Sequence, residues 1–276
     1  VQGIVQGVGF RPFVFNTATK LHLSGTVSNT GQGVIIQIFG EERDINSFLE
    51  TLDTSPPPLA KIISIERTAL TPPINPCDTF TIIQSSQTEN PSAIIPPDIA
   101  LCEDCYREFS DPSDRRHHYP FINCTNCGPR YTITETIPYD RPKTSMKVFP
   151  MCNTCQDEYD NPEDRRFHAQ PNACPVCGPS VTLHDNFGKP FKCVDPIVTA
   201  VNLIQDKKVL GIRGLGGFHL TVNGYSKKAV DLLRTRKGRP AKPLAVMVPD
   251  IQTIKGFAEL STQQEELLQS PQHPIV

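Results

Sequence analysis

Eight of the ten cysteines in this chain stand in four Cys-x-x-Cys pairs: Cys102/Cys105, Cys124/Cys127, Cys152/Cys155 and Cys174/Cys177. The last two pairs repeat the first two with a period of 50 residues, so the middle of the chain is one unit written twice, each copy C-x2-C-x18-C-x2-C. The residues between repeat as well. Glu108, Pro112, Asp114, Arg115, Arg116 and His118 recur as Glu158, Pro162, Asp164, Arg165, Arg166 and His168, and Gly128-Pro129 recurs as Gly178-Pro179. Two thiolates separated by two residues grip one tetrahedral ion from a tight knuckle, and two knuckles supply four sulfurs. Four protein ligands leave no open position, so the spacing predicts two structural zinc ions rather than catalytic ones. Paired thiols of this kind fit metal in a reducing compartment, and so a cytoplasmic protein, better than disulfides. Spacing leaves open whether each copy closes on itself or the outer and inner pairs interleave. It also leaves His118 and His168 as alternative ligands. Cys77 and Cys193 stand alone and read as ordinary thiols.

The block 98–180 carries nine Lys/Arg against thirteen Asp/Glu, and tetrathiolate zinc centres would add further negative charge. A phosphate backbone would be repelled, which argues against a nucleic-acid finger and for spacing or docking of neighbouring segments. The whole chain has a formal charge of −2, so no global cationic field recruits nucleic acid or anionic lipid. No apolar run approaches the ~18 residues of a membrane span.

Composition divides the 276 residues into parts. Residues 1–86 alternate β-rich runs with amphipathic helices: strands at 1–5, 25–30, 33–39, 61–68 and 78–84, and helices at 12–22 and 42–53. In the second helix Ile45, Phe48, Leu49 and Leu52 mark one face. This is a βαββαβ plan with an extra strand, a small sheet with helices on one face. Residues 87–97 read as a linker. Residues 98–185 form the duplicated module, whose weak hydrophobic periodicity calls for a metal staple. Residues 190–276 return to an α/β plan: a helix opened by Asp195-Pro196, a buried strand at Val209–Ile212, a helix at Lys227–Arg236 and a strand at Pro243–Val248. A start on Val1 within a strand and an unfinished plan at Val276 lead us to expect a piece of a longer protein.

Between the first strand and helix lies Val5-Gln6-Gly7-Val8-Gly9-Phe10-Arg11. Two glycines let backbone N–H groups converge at a helix N-terminus, and an arginine can fork two bonds onto phosphoryl oxygens. This loop, with Gly25-Thr-Val-Ser-Asn29 downstream, is similar to the acylphosphatase signature. The resemblance implies that Gln6, Gly7, Val8, Gly9, Phe10 and Arg11 hold phosphate, and that Asn29 positions the attacking water with Arg11 as its catalytic partner. Phosphoryl transfer depends mostly on placement and charge stabilisation. No histidine or carboxylate lies in the motif, so the leaving carboxylate or carbamate itself would take the water's proton.

Arg213-Gly-Leu-Gly-Gly-Phe-His219 and the stretch Leu233–Leu244 resemble the opening of a YrdC/Sua5-type domain. That likeness implies a nucleotide site drawing on Arg213, His219, Arg236, Lys237, Arg239 and Lys242. The three motifs in this order resemble one family, the HypF carbamoyltransferases of nickel–iron hydrogenase maturation. Members hydrolyse carbamoyl phosphate, activate carbamate with ATP as carbamoyl-adenylate, and transfer it to a C-terminal cysteine of a partner protein for cyanide synthesis. The chain departs from the pattern at Arg213 (usually Lys), at Val222-Asn223-Gly224 (usually Cys-Asp-Ala) and at Gly238 (commonly Arg). Two other readings compete: a zinc-stapled scaffold with an inactive phosphate loop, and a tRNA-modifying enzyme of the YrdC/Sua5 kind.

Overall fold

The structure is a computed structural model, and it describes residues 1–71, 78–86 and 91–276. Cys77 and the start of the expected linker fall outside the described residues. The chain forms two compact units, Val1–Pro179 and Ser180–Val276.

The first unit opens with β1 (Gln2–Ile4), α1 (Phe10–Lys20), β2 (Ser24–Thr30), β3 (Gly33–Phe39), α2 (Glu42–Thr54), β4 (Lys61–Ser64) and β5 (Phe80–Ile82). β2 pairs antiparallel with β3 and parallel with β5, and β1 pairs antiparallel with β4. Val1 exchanges both backbone hydrogen bonds with Val34, which joins the two ladders through β1 and β3. The apolar faces of α1 and α2 put Phe10, Val14, Ala18, Phe48 and Leu52 onto Val27, Val34 and Phe80 of the sheet. This matches the expected βαββαβ plan, with its last two strands shorter than expected; β5 spans Phe80–Ile82 rather than 78–84. β4 ends at Ser64 rather than 68, because its partner β1 runs out at Gln2 opposite Ser64.

The duplicated module follows within the same unit. Its only α-helices among the described residues are α3 (Glu103–Ser110) and α4 (Asn153–Asp160), one per copy; short 3₁₀ turns and loops make up the rest. A small core of Ile99, Tyr119, Ile122, Ile133, Met146 and Ala173 surrounds the buried cysteines of the first copy.

The second unit contains α5 (Pro196–Gln205), the hairpin β6 (Leu210–Gly214) with β7 (Gly217–Thr221), α6 (Lys227–Lys237), α7 (Ile251–Lys255) and α8 (Thr262–Leu268). Asp195 caps α5 by accepting from the N–H groups of Ile197 and Val198. Gly238, φ +60°, ends α6 in the left-handed conformation, a helix stop that glycine adopts without strain. Two expectations are corrected here. The strand through Ile212 is exposed rather than buried, with Ile212 43% exposed. Residues 243–248 are extended but form no strand, since no ladder partner lies beside them among the described residues and Met247 is fully open.

Candidate phosphate site and metal centres

The loop between β1 and α1 is anchored by its side chains and presents its backbone. Val8 and Phe10 are buried in the core beneath it. Gly7 (φ +72°) and Gly9 (φ +75°) take left-handed conformations that a side chain would strain. None of the N–H groups of Gly7, Val8, Gly9, Phe10 or Arg11 donates to a protein acceptor among the described residues. Five consecutive unpaired donors at a helix N-terminus, with no acidic residue in the first turn of α1, make an anion cradle. Gln6 serves the loop differently: its side chain donates to the carbonyls of Thr30 (2.7 Å) and Gly33 (2.9 Å) and accepts from Tyr139 N (2.8 Å).

Arg11 and Asn29 lie together beside the loop, and both meet a segment of the duplicated module. Asn29 Nδ2 donates to the Tyr139 carbonyl at 3.1 Å, and Arg11 makes a longer contact with the same oxygen at 3.4 Å. The other terminal nitrogen of Arg11 pairs with Asp140 at 2.8 Å. Asn29 Oδ1 is buried with no partner among the described residues. The cavity bounded by the loop, Arg11, Asn29, Thr125, Tyr139 and Gln170 holds about 20 Å³. That is room for a water molecule or so. His168 lines the same cavity, and burial, then the charge of Arg11, pushes its imidazole down to about 4.

The metal-ligand question left open by spacing is answered by geometry: each copy closes on itself. Cys102, Cys105, Cys124 and Cys127 form one group of sulfurs, and Cys152, Cys155, Cys174 and Cys177 the other. Neighbouring sulfurs stand 3.6–3.8 Å apart, too far for disulfides. A tetrahedral ion with Zn–S bonds of about 2.3 Å requires an edge of about 3.8 Å, so both cages fit zinc. The first pair of each copy straddles the N-terminus of α3 or α4, where the helix dipole favours thiolate. His118 and His168 contribute no ligand. Both hold a left-handed backbone (φ 54°) and return a backbone bond to Phe109 and Tyr159, respectively.

The two copies are locked by a reciprocal exchange that spacing did not reveal. Arg115 donates to Cys155 Sγ at 3.3 Å and pairs with Glu158, while Arg165 donates to Cys105 Sγ at 3.1 Å and pairs with Glu108. Arg116 and Arg166, both almost fully buried, bind the same two glutamates and reach the carbonyls of Ala173 and Asn123. Each cage therefore receives a charged hydrogen bond from the other copy, the kind of outer support that orients ligands and tunes thiolates.

The expected nucleotide residues lie on separate elements of the second unit. Arg213 pairs opposite Phe218 and His219 opposite Ile212, so the first two take opposite faces of the hairpin. Arg236 and Lys237 close α6, and Arg239 and Lys242 follow it, all exposed.

A βαββαβ domain with a glycine cradle, tied to two four-cysteine cages, defines an acylphosphatase-type domain joined to a duplicated zinc module. Comparison with known proteins agrees. The Acylphosphatase family matches residues 1–82, the HypF finger matches 101–134 and 151–184, and Telomere recombination (the Sua5/YciO/YrdC family) matches 202–276. The chain belongs to the HypF carbamoyltransferase family. It is 47% identical over 277 residues to carbamoyltransferase HypF2 of Cupriavidus necator and 48% over 279 residues to carbamoyltransferase HypF of Synechocystis; all of this chain is covered, against 34% and 36% of theirs. An acylphosphatase of Caldivirga maquilingensis is 44% identical over 68 residues, 24% of this chain and 70% of that protein. Among solved structures, full-length HypF in a phosphate- and nucleotide-bound form superposes with a TM-score of 0.91 at 47% identity over 98% of this chain and 35% of that one. HypF of T. kodakarensis gives 0.88 at 46% identity over 98% and 34%. The chain thus spans about a third of the length of the relatives it matches.

Proposed function

We propose that this chain is the part of a hydrogenase-maturation carbamoyltransferase that hydrolyses carbamoyl phosphate and begins the activation of carbamate. The observation that carries the reading is the row of unpaired N–H groups from Gly7 to Arg11 with Arg11 and Asn29 beside it. In this reading the loop and Arg11 hold the phosphoryl oxygens, and Asn29 orients water for in-line attack on phosphorus. The P–O bond to the carbamate breaks, and the carbamate takes the proton of the water. Zinc would be held by the two cysteine cages and would supply structure, since neither cage has an open position. Carbamate then attacks the α-phosphorus of ATP and releases pyrophosphate at a YrdC-like site to which Arg213, His219, Arg236, Lys237, Arg239 and Lys242 contribute. The resulting carbamoyl-adenylate passes its carbamoyl group to the C-terminal cysteine thiol of a maturation partner and releases AMP. We divide the chain accordingly into a phosphatase domain (1–86), a linker (87–97), a zinc module (98–185) and the start of a nucleotide domain (190–276). Among the described residues no helix is long and apolar enough to cross a membrane; the four CxxC thiol pairs, which suit a reducing compartment, support a cytoplasmic setting.

The inactive-scaffold reading has one observation in its favour, the engagement of Arg11 by Asp140 and Tyr139. Phosphate release separates the two. The chain is expected to release phosphate from carbamoyl phosphate faster than from acetyl phosphate. Arg11→Ala should cut that release by about a hundredfold or more, the scale of losing one preorganised charged donor. Equal, negligible rates in wild type and variant, with zinc in place, would leave the scaffold.

A further inference from the structure

The duplication offers a control inside the molecule. The Arg and Glu residues that bridge the copies are the same in both, but some buried fold positions differ, Tyr119 against Ala169 and Ile122 against Asn172, so a departure from the repeat counts only where the side chain meets another element. Of the module's residues around the phosphate cavity, Thr125, Arg130 and Gln170 face counterparts Pro175, Ser180 and Pro120. The repeat is broken where it meets the phosphate loop.

Arg130 is the most consequential of these. It is 1% exposed. Its guanidinium donates to the carbonyls of Cys127 (3.1 Å), Pro129 (2.8 Å), Cys124 (2.8 Å) and Thr125 (2.9 Å), the knuckle of the first zinc cage. Its Nε donates to the carbonyl of Gly7, inside the phosphate loop. The Arg130 side chain also packs on Gly7, where an added Cβ would lie 3.0 Å from Arg130 Cδ.

In a trans peptide the C=O of one residue and the N–H of the next point in opposite directions. A cation holding the Gly7 carbonyl on one side therefore holds the Val8 N–H toward the other. That N–H is one of the unpaired donors of the cradle. The cation also polarises the peptide group, which strengthens its N–H as a donor. Without this bond the plane can turn over by a paired change in ψ of Gly7 and φ of Val8, and Gly7, lacking a Cβ, offers that turn little steric resistance. We infer that Arg130 is a positioning residue of the phosphate site, fixing the Gly7–Val8 peptide plane and anchoring it to the knuckle Cys124–Cys127. The zinc module thereby forms part of the machinery that binds phosphate, beyond spacing one domain from the next. The inference rests on the phosphate-site reading above, and it adds a residue from outside the loop.

The test uses the whole chain, with inorganic phosphate as competitive inhibitor of carbamoyl phosphate hydrolysis and with zinc content and melting temperature measured in parallel. Wild type must first bind phosphate; failure there sinks the phosphate-site reading itself. Given binding, Arg130→Gln is expected to weaken phosphate inhibition and raise KM by about tenfold, less than the loss of a whole preorganised donor, with two zinc ions retained. Arg130→Lys, which keeps a cationic donor for the Gly7 carbonyl, should restore affinity to within a few-fold. Unchanged phosphate inhibition in a zinc-replete Arg130→Gln chain would overturn the inference. So would loss of zinc or of the fold in both variants, because Arg130 would then be a fold residue and nothing more.

Discussion

His168 illustrates how one side chain can serve the fold and register pH. Its counterpart His118 holds the same left-handed backbone in the first copy, but His168 sits against the phosphate cavity with Tyr159, Phe167 and the charge of Arg11 around it. Burial, then Arg11, lowers its imidazole from the ordinary 6.5 to about 4, while Asp160 and Asp140 oppose the shift weakly. The sign follows from linkage. Below about 6.5 the unfolded chain takes up a proton that the folded chain refuses until about 4. The stability tied to this residue is therefore complete above that range and falls as pH drops through it, by about 1.4 kcal/mol per pH unit at most. His168→Asn keeps a residue that tolerates the left-handed backbone. It should flatten the slope of urea-denaturation stability between about pH 6.5 and 5.5. An unchanged slope would mean that His168 is protonated in the folded state.

At the scale of elements, the reciprocal arginine–glutamate exchange sets the relation between α3 and α4. Burial would raise the carboxyl of Glu158, but hydrogen bonds from Arg116 and Arg115 outweigh it and bring the group down to about 2. Glu158→Gln would leave Arg116, 2% exposed, without its countercharge and would loosen Arg115 from Cys155. Removing one partner of a buried pair costs about 3–5 kcal/mol. We expect a loss of that order in denaturation, together with faster release of one zinc equivalent to a chelator. Glu108→Gln should do the same to the first cage, so similar losses in the two variants would support the reciprocal exchange. These elements differed in how far the sequence announced them. The CxxC spacing specified four-sulfur cages, because tetrahedral coordination admits few alternatives, and the 3.6-residue periodicity of α2 marked its buried face. The arginines and glutamates repeated visibly, but a repeat cannot say whether they bond within a copy or across copies. The nucleotide residues, read from motifs alone, are spread over a hairpin and a helix end, because motif adjacency carries no information about which face of a strand a side chain takes.

Across the first unit, the feature least legible in the sequence is that the module covers the phosphate loop. Nothing in Tyr139-Asp140 announces that its carbonyl and carboxylate will meet Asn29 and Arg11 more than a hundred residues away. The departures of Thr125, Arg130 and Gln170 from their repeat counterparts were the available signal, and they gain meaning only once the loop is known to lie opposite. The arrangement has a thermodynamic consequence for the molecule as a whole. If one peptide plane of the phosphate loop is fixed to the knuckle of the first zinc cage, the two ligands share a structural element, and coupling between binding sites is reciprocal. Phosphate should then slow the removal of zinc from the first cage by a chelator, and chain depleted of that zinc should bind phosphate more weakly by the same equilibrium factor. The second cage, whose Ser180 stands where Arg130 stands in the first, should release its zinc at a rate indifferent to phosphate. Cys102→Ser and Cys152→Ser variants, each lacking one cage, separate the two releases. Chelation kinetics with and without phosphate that are identical at both cages would sever the zinc module from the chemistry of the loop. A phosphate effect confined to the cage of Cys124 and Cys127 would show the coupling running through that knuckle.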